Sequence, residues 1–406
     1  MNIFYLVNMN ENNIKGLFTA NHEKLLALEN LIGKEDVLNV YSVQFYDVGI
    51  SKFLKKIKKK KIFVNNGPSF EIDGRVYKKD YLKVDLFARK IEKQDDDYKK
   101  YEPFIEAHRK EIEACDIVVA QWGYPHGRLA YHIGKKFDKP YFVQYYGSDI
   151  HTNPFRDSNV KKKVLDVLNN AANNFFVSDV LRKTANKLGW KKDNYSLTKN
   201  GVNFDKFFDI GESRKDQLRR ELGIEPTDTV IGYVGSLTEV KRSDKLAEIF
   251  SGVDSVKKCK YLLVGDGDMR DLVESQVKEA GLDVIFTGNV SIEEVNEYLN
   301  LMDIMVLPSR REGFGSVIVE ANSLGVLAIG SGSGGIPEVI GNPDYIVQEG
   351  ENFEKRYAEK ILDSINRGWD KEALKERTRL EYGWDHIASI DPVSYTHLTL
   401  PTTERV

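Results

Sequence analysis

Cysteine and long apolar runs are scarce in this chain of 406 residues. Its two cysteines, Cys115 and Cys259, lie far apart in the sequence, which excludes a disulfide framework and favours a reducing cytosol. No apolar run reaches the about 18 residues that a membrane-spanning helix needs. The apolar start, Met1-Asn-Ile-Phe-Tyr-Leu-Val7, is too short for a signal peptide and predicts a first buried strand. We therefore expect a cytoplasmic protein without a transmembrane segment.

An excess of one charge and the common cofactor and metal motifs are also missing. The net charge of -3 gives no general argument for nucleic-acid binding. No Gly-x-Gly-x-x-Gly follows the first strand, which disfavours a nicotinamide-binding first domain because those glycines admit the pyrophosphate. The chain has no His-x-x-x-His pair or cysteine cluster, and no Asp-x-Asp near residues 309–325. We therefore predict neither a metal site nor a cofactor.

The length and the alternation of elements predict two α/β domains. A chain of 406 residues is too long for one core and suits two domains of about 200 residues each. Apolar runs that predict strands at 229–234, 260–264, 284–287 and 303–307 alternate with helical patterns, which predicts one parallel sheet covered on both faces. We place the first domain at 1–207, the second at 208–385 and a charged linker near 208–227.

Residues 309–325 carry the strongest functional signal. A predicted strand ends at Pro308, a Gly-Phe-Gly turn follows, and an apolar helix runs from Ser316 until Gly325 stops it. Glu312 precedes that helix and Glu320 lies within it, where an unpaired carboxylate would cost several kcal/mol. The N–H groups of the first helical turn form a site for a diphosphate. A sugar nucleotide supplies both hydroxyls and phosphates; the alternative is that Glu320 pairs with a buried Lys or Arg and Glu312 caps the helix.

The two glutamates separated by seven residues, with Gly-Phe-Gly after the first and Gly334-Gly-Ile-Pro-Glu-Val339 downstream, resemble the donor-site signature of the retaining family 4 glycosyltransferases of the GT-B fold. The resemblance covers the chain to about Ile390. It implies two doubly wound Rossmann-like domains facing a cleft, with Glu312 facing the donor sugar and Glu320 holding the ribose. It also implies a UDP- or GDP-sugar donor, bound in part through Gly313, Phe314 and Gly315, and retaining, metal-independent hexosyl transfer to a hydroxyl.

In the resembled family an arginine and a lysine after the first strand of the second domain neutralise the leaving diphosphate. Lys241 matches the lysine, but Ser236 stands where the arginine is expected. Arg242 or Arg310 could substitute, although a serine hydroxyl forms a weaker hydrogen bond than a charged donor. The predicted donor-binding residues of these two strand-end turns are Gly235, Ser236, Arg242 and Gly265.

Loops 121–127 and 145–151 follow strands of the first domain, and in a parallel sheet such loops line the ligand crevice. Both loops also resemble family segments that face the acceptor side of the cleft. The predicted acceptor or cleft residues are Gly16, His126, Gly127, Tyr146 and Asp149. Tyr146 stands where the family commonly has a histidine, and a phenol with a pKa near 10 is a poor base. On a front-face mechanism the leaving phosphate accepts the proton, so no protein base is required.

Two segments bear on location and on the end of the chain. Residues 51–61 contain seven lysines and no acidic residue, which is typical of a helix that lies on anionic lipid and equally of a solvated surface. The first interpretation adds peripheral contact with the inner face of a membrane, where a sugar or lipid-linked acceptor would lie. At 386–406 the family's last helix stops short, and residues 393–406 resemble a translated sequencing adapter, so we expect a truncated, partly non-native end.

Three functions remain open from the sequence. The first is a retaining glycosyltransferase in surface polysaccharide or glycolipid synthesis. The second is a nucleotide-sugar binding subunit without turnover, which Ser236 and Tyr146 would explain. The third is a nucleotide-sugar epimerase on the same architecture. The sugar, the base and the acceptor are not determined, because the loops that select them vary on this fold.

Overall fold

The computed structural model describes residues 1–7, 9, 17–32, 36–47, 56, 67–84, 94 and 96–390. The predicted acceptor residue Gly16, the basic stretch 51–61 apart from Lys56, and the tail 391–406 lie outside the described residues. The chain forms two compact units, Met1–Lys199 with the residues from Ile387 onward, and Asn200–His386. Within the described residues, no helix combines the length and the apolar character required to cross a membrane.

The first unit is built on an eight-stranded sheet in the order β3-β4-β2-β1-β5-β6-β7-β8. All neighbouring strands are parallel except β3, which pairs antiparallel with β4. The strands are β1 (Asn2–Val7), β2 (Val37–Asp47), β3 (Ser69–Ile72), β4 (Arg75–Val84), β5 (Ile117–Gln121), β6 (Tyr141–Tyr145), β7 (Asn173–Phe176) and β8 (Tyr195–Leu197).

Helices pack on this sheet because its central strands are apolar on both faces. All five residues of β5 and all five of β6 are buried, as expected of inner strands of a parallel sheet. The helices are α1 (Leu17–Leu31), α2 (Tyr98–Ala107), α3 (Arg109–Ala114), α4 (His126–Phe137), α5 (Ser148–His151), α6 (Asn153–Arg156), α7 (Ser158–Asn170) and α8 (Asp179–Leu188). Residues 384–390 are also helical.

A buried ionic cluster joins three segments of the first unit. The carboxylate of Asp97, at the start of α2, accepts hydrogen bonds from Arg128 Nε at 2.8 Å and from His132 Nε2 at 2.7 Å, both on α4. Lys163 of α7 lies 2.8 Å away. Burial opposes ionisation of Asp97, but the hydrogen bonds from His132, Lys163 and Arg128 outweigh it and hold the pKa below its usual range. The more exposed Asp166 also pairs with Arg128.

The second unit contains a six-stranded, all-parallel sheet in the order β11-β10-β9-β12-β13-β14. The strands are β9 (Val230–Val234), β10 (Lys260–Val264), β11 (Val284–Gly288), β12 (Ile304–Leu307), β13 (Leu327–Ser331) and β14 (Ile346–Val347). The helices are α9 (Glu212–Glu221), α10 (Leu246–Asp254), α11 (Arg270–Glu279), α12 (Ile292–Leu301), α13 (Ser316–Ser323), α14 (Ile336–Ile340), α15 (Phe353–Arg367) and α16 (Lys371–Tyr382).

The predicted fold class, α/β with two Rossmann-like domains, is confirmed. One local prediction differs from the structure: the segment expected to be a linker contains helix α9, whose Leu218 is buried. After β9 the chain forms two short 3-10 turns, Glu239–Lys241 and Ser243–Lys245, and Arg242 between them adopts a left-handed backbone with φ of 58°. Helix α10 follows at Leu246.

Strand order identifies the edge of the second sheet where a ligand is expected. Strand β9 is central and pairs with β10 on one side and with β12 on the other, so successive connections leave in opposite directions there. Ligands of doubly wound sheets bind beyond the carboxyl ends of strands at such a switch point. The loops that follow β9 and β12 carry Lys241 and Glu312, respectively.

Candidate functional site

The loop between β12 and α13 is shaped by glycines from two segments. A Cβ atom on Gly334 would lie 1.9 Å from the carbonyl oxygen of Glu312, and one on Gly335 would lie 2.4 Å from that of Gly313. The Gly335 N–H donates to the Glu312 carbonyl at 3.0 Å. Gly315 has φ of 94°, a left-handed conformation that favours glycine. The Gly-Gly pair therefore fixes the backbone beside Glu312, and the sequence prediction did not include Gly334 and Gly335 among the site residues.

Helix α13 presents an uncapped start to this loop. Its N-cap residue is Gly315, and within the described residues no side chain accepts a hydrogen bond from the first turn. The first N–H groups of an α-helix have no partner within the helix, and they carry the positive end of its dipole. Phe314 is buried and packs edge to face on Tyr382, with ring centroids 6.2 Å apart. The loop is thus anchored by an aromatic residue while the helix start keeps free donors.

Glu320 lies in the second turn of α13 and is partly buried. Within the part of the chain that the structure describes, its carboxylate has no ion pair and no hydrogen bond; only its backbone carbonyl is bonded, to the Ser323 hydroxyl. Burial alone raises the pKa of Glu320 to about 7. The alternative in which Glu320 pairs with a buried lysine or arginine is therefore not the arrangement found here. A desolvated carboxylate without a partner is instead prepared to accept hydrogen bonds from a ligand.

Glu312 and Lys241, which were predicted as the catalytic residues, contact each other. The ammonium of Lys241 forms a close ion pair with Oε2 of Glu312. The two side chains remain 26% and 16% exposed, so both are accessible to a ligand. Because Lys241 follows β9 and Glu312 follows β12, the pair joins the two loops at the switch point. The fold thus brings together residues that are far apart in sequence.

The glycines predicted at the ends of β9 and β10 allow two loops to meet backbone to backbone. A Cβ atom on Gly265, which has φ of 129°, would lie 2.0 Å from the Gly235 carbonyl oxygen. The Gly235 N–H donates to the Val264 carbonyl at 2.9 Å. Ser236, the residue after Gly235, is exposed, and its carbonyl accepts a hydrogen bond from the Tyr233 hydroxyl at 2.8 Å. The loop is therefore rigid, and the Ser236 side chain faces solvent.

Neither arginine considered as a substitute at position 236 is unengaged. Arg242 is buried, donates to Glu349 at 2.6 Å and lies 3.8 Å from the centroid of the Phe353 ring. Arg310 makes a bidentate pair with Asp244, at 2.6 and 2.8 Å. Both guanidinium groups have carboxylate partners, as Lys241 has in Glu312. The Lys241 side chain is 26% exposed, against 33% for Arg310 and 8% for Arg242.

In the first unit Asp149 connects the two predicted loops. Its carboxylate accepts hydrogen bonds from the backbone N–H groups of Gly147 at 2.8 Å, Gly123 at 3.1 Å and Tyr146 at 3.3 Å. Burial raises the pKa of Asp149 to about 6, although these three N–H groups act in the opposite direction. Asp149 therefore positions loop 121–127 against loop 145–151. The structure brings these two segments together as the strand-end argument predicts.

The other predicted residues that the structure describes in the first unit belong to the same two segments, 121–127 and 145–151. His126 is buried; its Nε2 donates to the Val43 carbonyl at 2.9 Å, and burial lowers its pKa to about 4, so the ring is neutral at pH 7. A Cβ atom on Gly127 would lie 3.1 Å from a methyl of Val167, so this glycine permits close packing. Tyr146 is buried, and its ring stacks with that of Trp122 at 6.5 Å. Acceptor binding by these residues stays a prediction.

No group of three or more potential metal ligands occurs among the residues that the structure describes. Among the described residues of the two sites, the carboxylates face backbone N–H groups, a lysine, an arginine or, at Glu320, no partner. The arrangement in the second unit can therefore hold a ligand that combines hydroxyl groups with phosphate, through Glu320, the start of α13 and Lys241.

Comparison with known families assigns this unit. The family model of glycosyl transferases group 1 matches residues 214–381, which include both glutamates and Lys241. Residues 214–381 are a glycosyl transferases group 1 domain. The matched segment begins within helix α9 and ends within α16, so it lies inside the second unit, Asn200–His386.

Curated relatives of this chain have names that indicate different specificities. The N-acetyl-alpha-D-glucosaminyl L-malate synthase of Bacillus anthracis is 34% identical over 139 residues, which are 33% of this chain and 36% of that protein. The GDP-mannose-dependent monoacylated alpha-(1-6)-phosphatidylinositol monomannoside mannosyltransferase of Corynebacterium glutamicum is 26% identical over 46% of this chain and 51% of that protein. The chain spans 36% to 61% of the length of the first curated relatives that it matches.

Solved structures extend the likeness of fold to the whole chain. Anabaena HepE in complex with UDP superposes with a TM-score of 0.72 and 15% identity, and covers 98% of this chain and 100% of that chain. At this identity the likeness shows the fold alone. The structural neighbours are GT-B glycosyltransferases, so the two units have the domain folds of the GT-B class.

Proposed function

We propose that this chain is a retaining glycosyltransferase that transfers a hexosyl group from a UDP- or GDP-sugar to a hydroxyl acceptor without a metal ion. The observation that carries the proposal is Glu320, a desolvated carboxylate without a protein partner, on a helix whose first-turn N–H groups are uncapped. A ribose hydroxyl pair would satisfy the carboxylate, and a diphosphate would satisfy the helix start. HepE, the structural neighbour, was solved with UDP and with UDP-glucose, which supports a nucleotide-sugar donor.

The close pair of Lys241 and Glu312 supplies the other two roles. When a donor binds, the Lys241 ammonium would neutralise the leaving phosphate, and Glu312 would accept hydrogen bonds from the hydroxyls of the sugar. The ion pair places both groups side by side, in position for this exchange. Fixed donors at developing phosphate charge stabilise the transition state by several kcal/mol. This charge compensation by lysine and N–H groups supports a transfer that needs no metal ion.

Transfer with retention is proposed as attack on the face that the diphosphate leaves. The bond between the anomeric carbon and the phosphate oxygen breaks, the bond to the acceptor oxygen forms, and the acceptor proton passes to the departing phosphate. No protein base is required on this path. That suits the first unit, where His126 is buried with its Nε2 engaged and Tyr146 is a phenol of high intrinsic pKa.

A sugar or lipid-linked acceptor in surface polysaccharide or glycolipid synthesis is the context that we propose. The relative from Corynebacterium glutamicum is named for a phosphatidylinositol mannoside acceptor, whereas the relative from Bacillus anthracis is named for L-malate. The acceptor therefore differs among proteins with similar donor domains. Contact of the basic stretch 51–61 with anionic lipid at the inner membrane face stays part of the proposal.

A nucleotide-sugar binding subunit without turnover is the second candidate. The observation that favours it is that Ser236 is exposed and uncharged, while Arg242 and Arg310 are held by Glu349 and Asp244. Only one cation would then neutralise the leaving group. This candidate predicts tight donor binding with no transfer, whereas an epimerase, the third possibility, would isomerise the free donor in the absence of an acceptor.

A thermal-shift screen of UDP- and GDP-sugars on the full chain tests the proposal. We expect one nucleotide sugar to raise the melting temperature, the Glu320→Ala variant to lose this response, and the Glu312→Ala variant to keep it but transfer more slowly. The exposed Glu376, in the same unit, supplies the control variant Glu376→Ala. Wild-type donor affinity in the Glu320→Ala variant would refute the site. Product analysis with and without acceptor then separates transfer, epimerisation and binding alone.

A further inference from the structure

A polar contact between two segments lies at the start of helix α13. Nδ2 of Asn200 donates a hydrogen bond to Oγ of Ser316, the first residue of the helix, at 3.2 Å. Asn200 is only 7% exposed, yet its Oδ1 accepts no hydrogen bond within the described part of the chain. Ser316 is partly exposed, and its hydroxyl does not cap the helix. A buried amide thus holds a hydroxyl that no local backbone group uses.

Asn200 cannot easily move away, because the residues after it are fixed. A Cβ atom on Gly201 would lie 2.6 Å from the indole ring of Trp384. The Val202 N–H donates to the Tyr382 carbonyl at 2.8 Å. Tyr382 in turn packs on Phe314, two residues before Ser316. The contact between Asn200 and Ser316 therefore belongs to the same rigid unit as the loop that carries Glu312.

The chemistry of a hydroxyl determines what this contact leaves available. A serine oxygen can accept a hydrogen bond while its own hydrogen donates another. Since Oγ of Ser316 accepts from Asn200, its hydrogen is directed to a different acceptor. The neighbouring first-turn N–H groups and the helix dipole favour a negatively charged oxygen at that position. The first-turn N–H groups and the Ser316 hydroxyl are thus hydrogen-bond donors at one helix start, which suits an anionic ligand.

We propose that the Ser316 hydroxyl, oriented by Asn200, donates a hydrogen bond to the diphosphate of the sugar nucleotide. This inference rests on the proposed function. It makes Ser316 a donor-binding residue and Asn200 a positioning residue. The pair would supply a neutral, pre-oriented donor to a diphosphate for which Ser236 does not provide the expected arginine.

Calorimetric titration of the full chain with UDP, GDP, uridine and guanosine tests the proposal. For whichever diphosphate the wild type binds, we expect Ser316→Ala to weaken binding about five- to tenfold, the loss of one hydrogen bond. Binding of the matching nucleoside should not change, because it lacks the phosphate acceptor. The Ser316→Thr variant, which keeps the hydroxyl, should retain most of the affinity. Ser323→Ala, at the other end of the same helix, is the matched control.

A double-mutant cycle distinguishes positioning by Asn200 from a structural effect. We expect Asn200→Ala to weaken diphosphate binding alone, and to add nothing when Ser316 is already alanine. Unchanged diphosphate affinity in Ser316→Ala, or an equal loss for the nucleoside, overturns the inference. If Glu320→Ala still loses nucleotide binding in that case, the proposed function stands without it. If the wild-type chain binds none of these nucleotides, both fall.

Discussion

Replacing Glu320 with glutamine should stabilise the ligand-free protein while it weakens donor binding. The carboxylate is partly buried without a partner, and burial raises its pKa from 4.5 to about 7. The folded state therefore binds the proton more tightly than the unfolded state does. Stability must then fall as pH rises from the unfolded pKa through the folded one. Glutamine cannot ionise, so the variant escapes this loss.

The expected size follows from the displacement of the pKa. A change from 4.5 to about 7 corresponds to about 3 kcal/mol. Because the side chain keeps some contact with solvent, we expect about 1–2 kcal/mol to be measurable. The stability difference between Glu320→Gln and wild type should be near zero at pH 4.5 and reach its full value above pH 7.5. This sign is opposite to that of most buried polar substitutions, which destabilise.

Urea unfolding of both proteins, followed by circular dichroism between pH 4.5 and 8.5, measures this difference. The Glu376→Gln variant, at an exposed position of helix α16, is the matched control for removing a carboxylate. The reasoning would be refuted if Glu320→Gln destabilised the protein at pH 8. That result would mean that the carboxylate has a stabilising partner in the folded chain.

Nucleotide binding should be stronger with glutamate than with glutamine at position 320, because a ribose donates hydrogen bonds to the ionised carboxylate. Loss of a charge-assisted hydrogen bond costs about 1.5–3 kcal/mol, so Glu320→Gln should bind the nucleotide more than tenfold more weakly at pH 8. Wild-type affinity should increase between pH 6 and pH 8 as the carboxylate ionises, whereas the affinity of the variant should stay flat. Calorimetry across this pH range measures both.

Two further substitutions test the packing that supports the sites. Gly334→Ala puts a Cβ atom 1.9 Å from the Glu312 carbonyl oxygen, so it should lower the free energy of unfolding by about 3 kcal/mol and abolish nucleotide binding. The control, Gly281→Ala, has a similar positive φ but nothing within 4 Å, and it should cost only about 1–2 kcal/mol. Equal losses in urea unfolding would contradict the backbone clash. Asp97→Asn leaves its buried cations unpaired and should cost about 3–5 kcal/mol, against at most about 1 kcal/mol for the more exposed Asp166→Asn. A small effect at Asp97 in thermal unfolding would show that the cluster is not needed.

The turn of the β3-β4 hairpin has a signature in the sequence, Asp73-Gly74. Asp73 and Gly74 both have positive φ and connect two antiparallel strands, in which Ile72 pairs with Arg75. Asp-Gly is the typical pair for such a two-residue turn. The charged strands on either side obscured it, because alternation is hard to recognise where neither face is strongly apolar.

Helix α9 shows what local sequence could not provide. Its ten residues are almost all charged or polar, and only Leu218 is buried. The helix is held by contacts outside itself, such as the ion pair of Arg214 with Glu297 on α12, at 2.7 Å. Stability that comes from tertiary contacts leaves no apolar period in the segment itself. The sequence therefore predicted a linker where a helix forms.

The sequence by itself determined the alternation of strands and helices, the glycine turns and the types of residue at the donor site. These follow from local rules: the period of apolar residues, the backbone freedom of glycine and the cost of an unpaired carboxylate. Only the tertiary structure decided that Lys241 pairs with Glu312 and that Arg242 is held by Glu349. It also decided that the Glu320 carboxylate has no partner among the described residues and that Asn200 reaches Ser316. These contacts depend on which segments meet at the carboxyl edge of the parallel sheet. The order of the strands decides which segments meet, and that order comes from long-range strand pairing that no local pattern encodes.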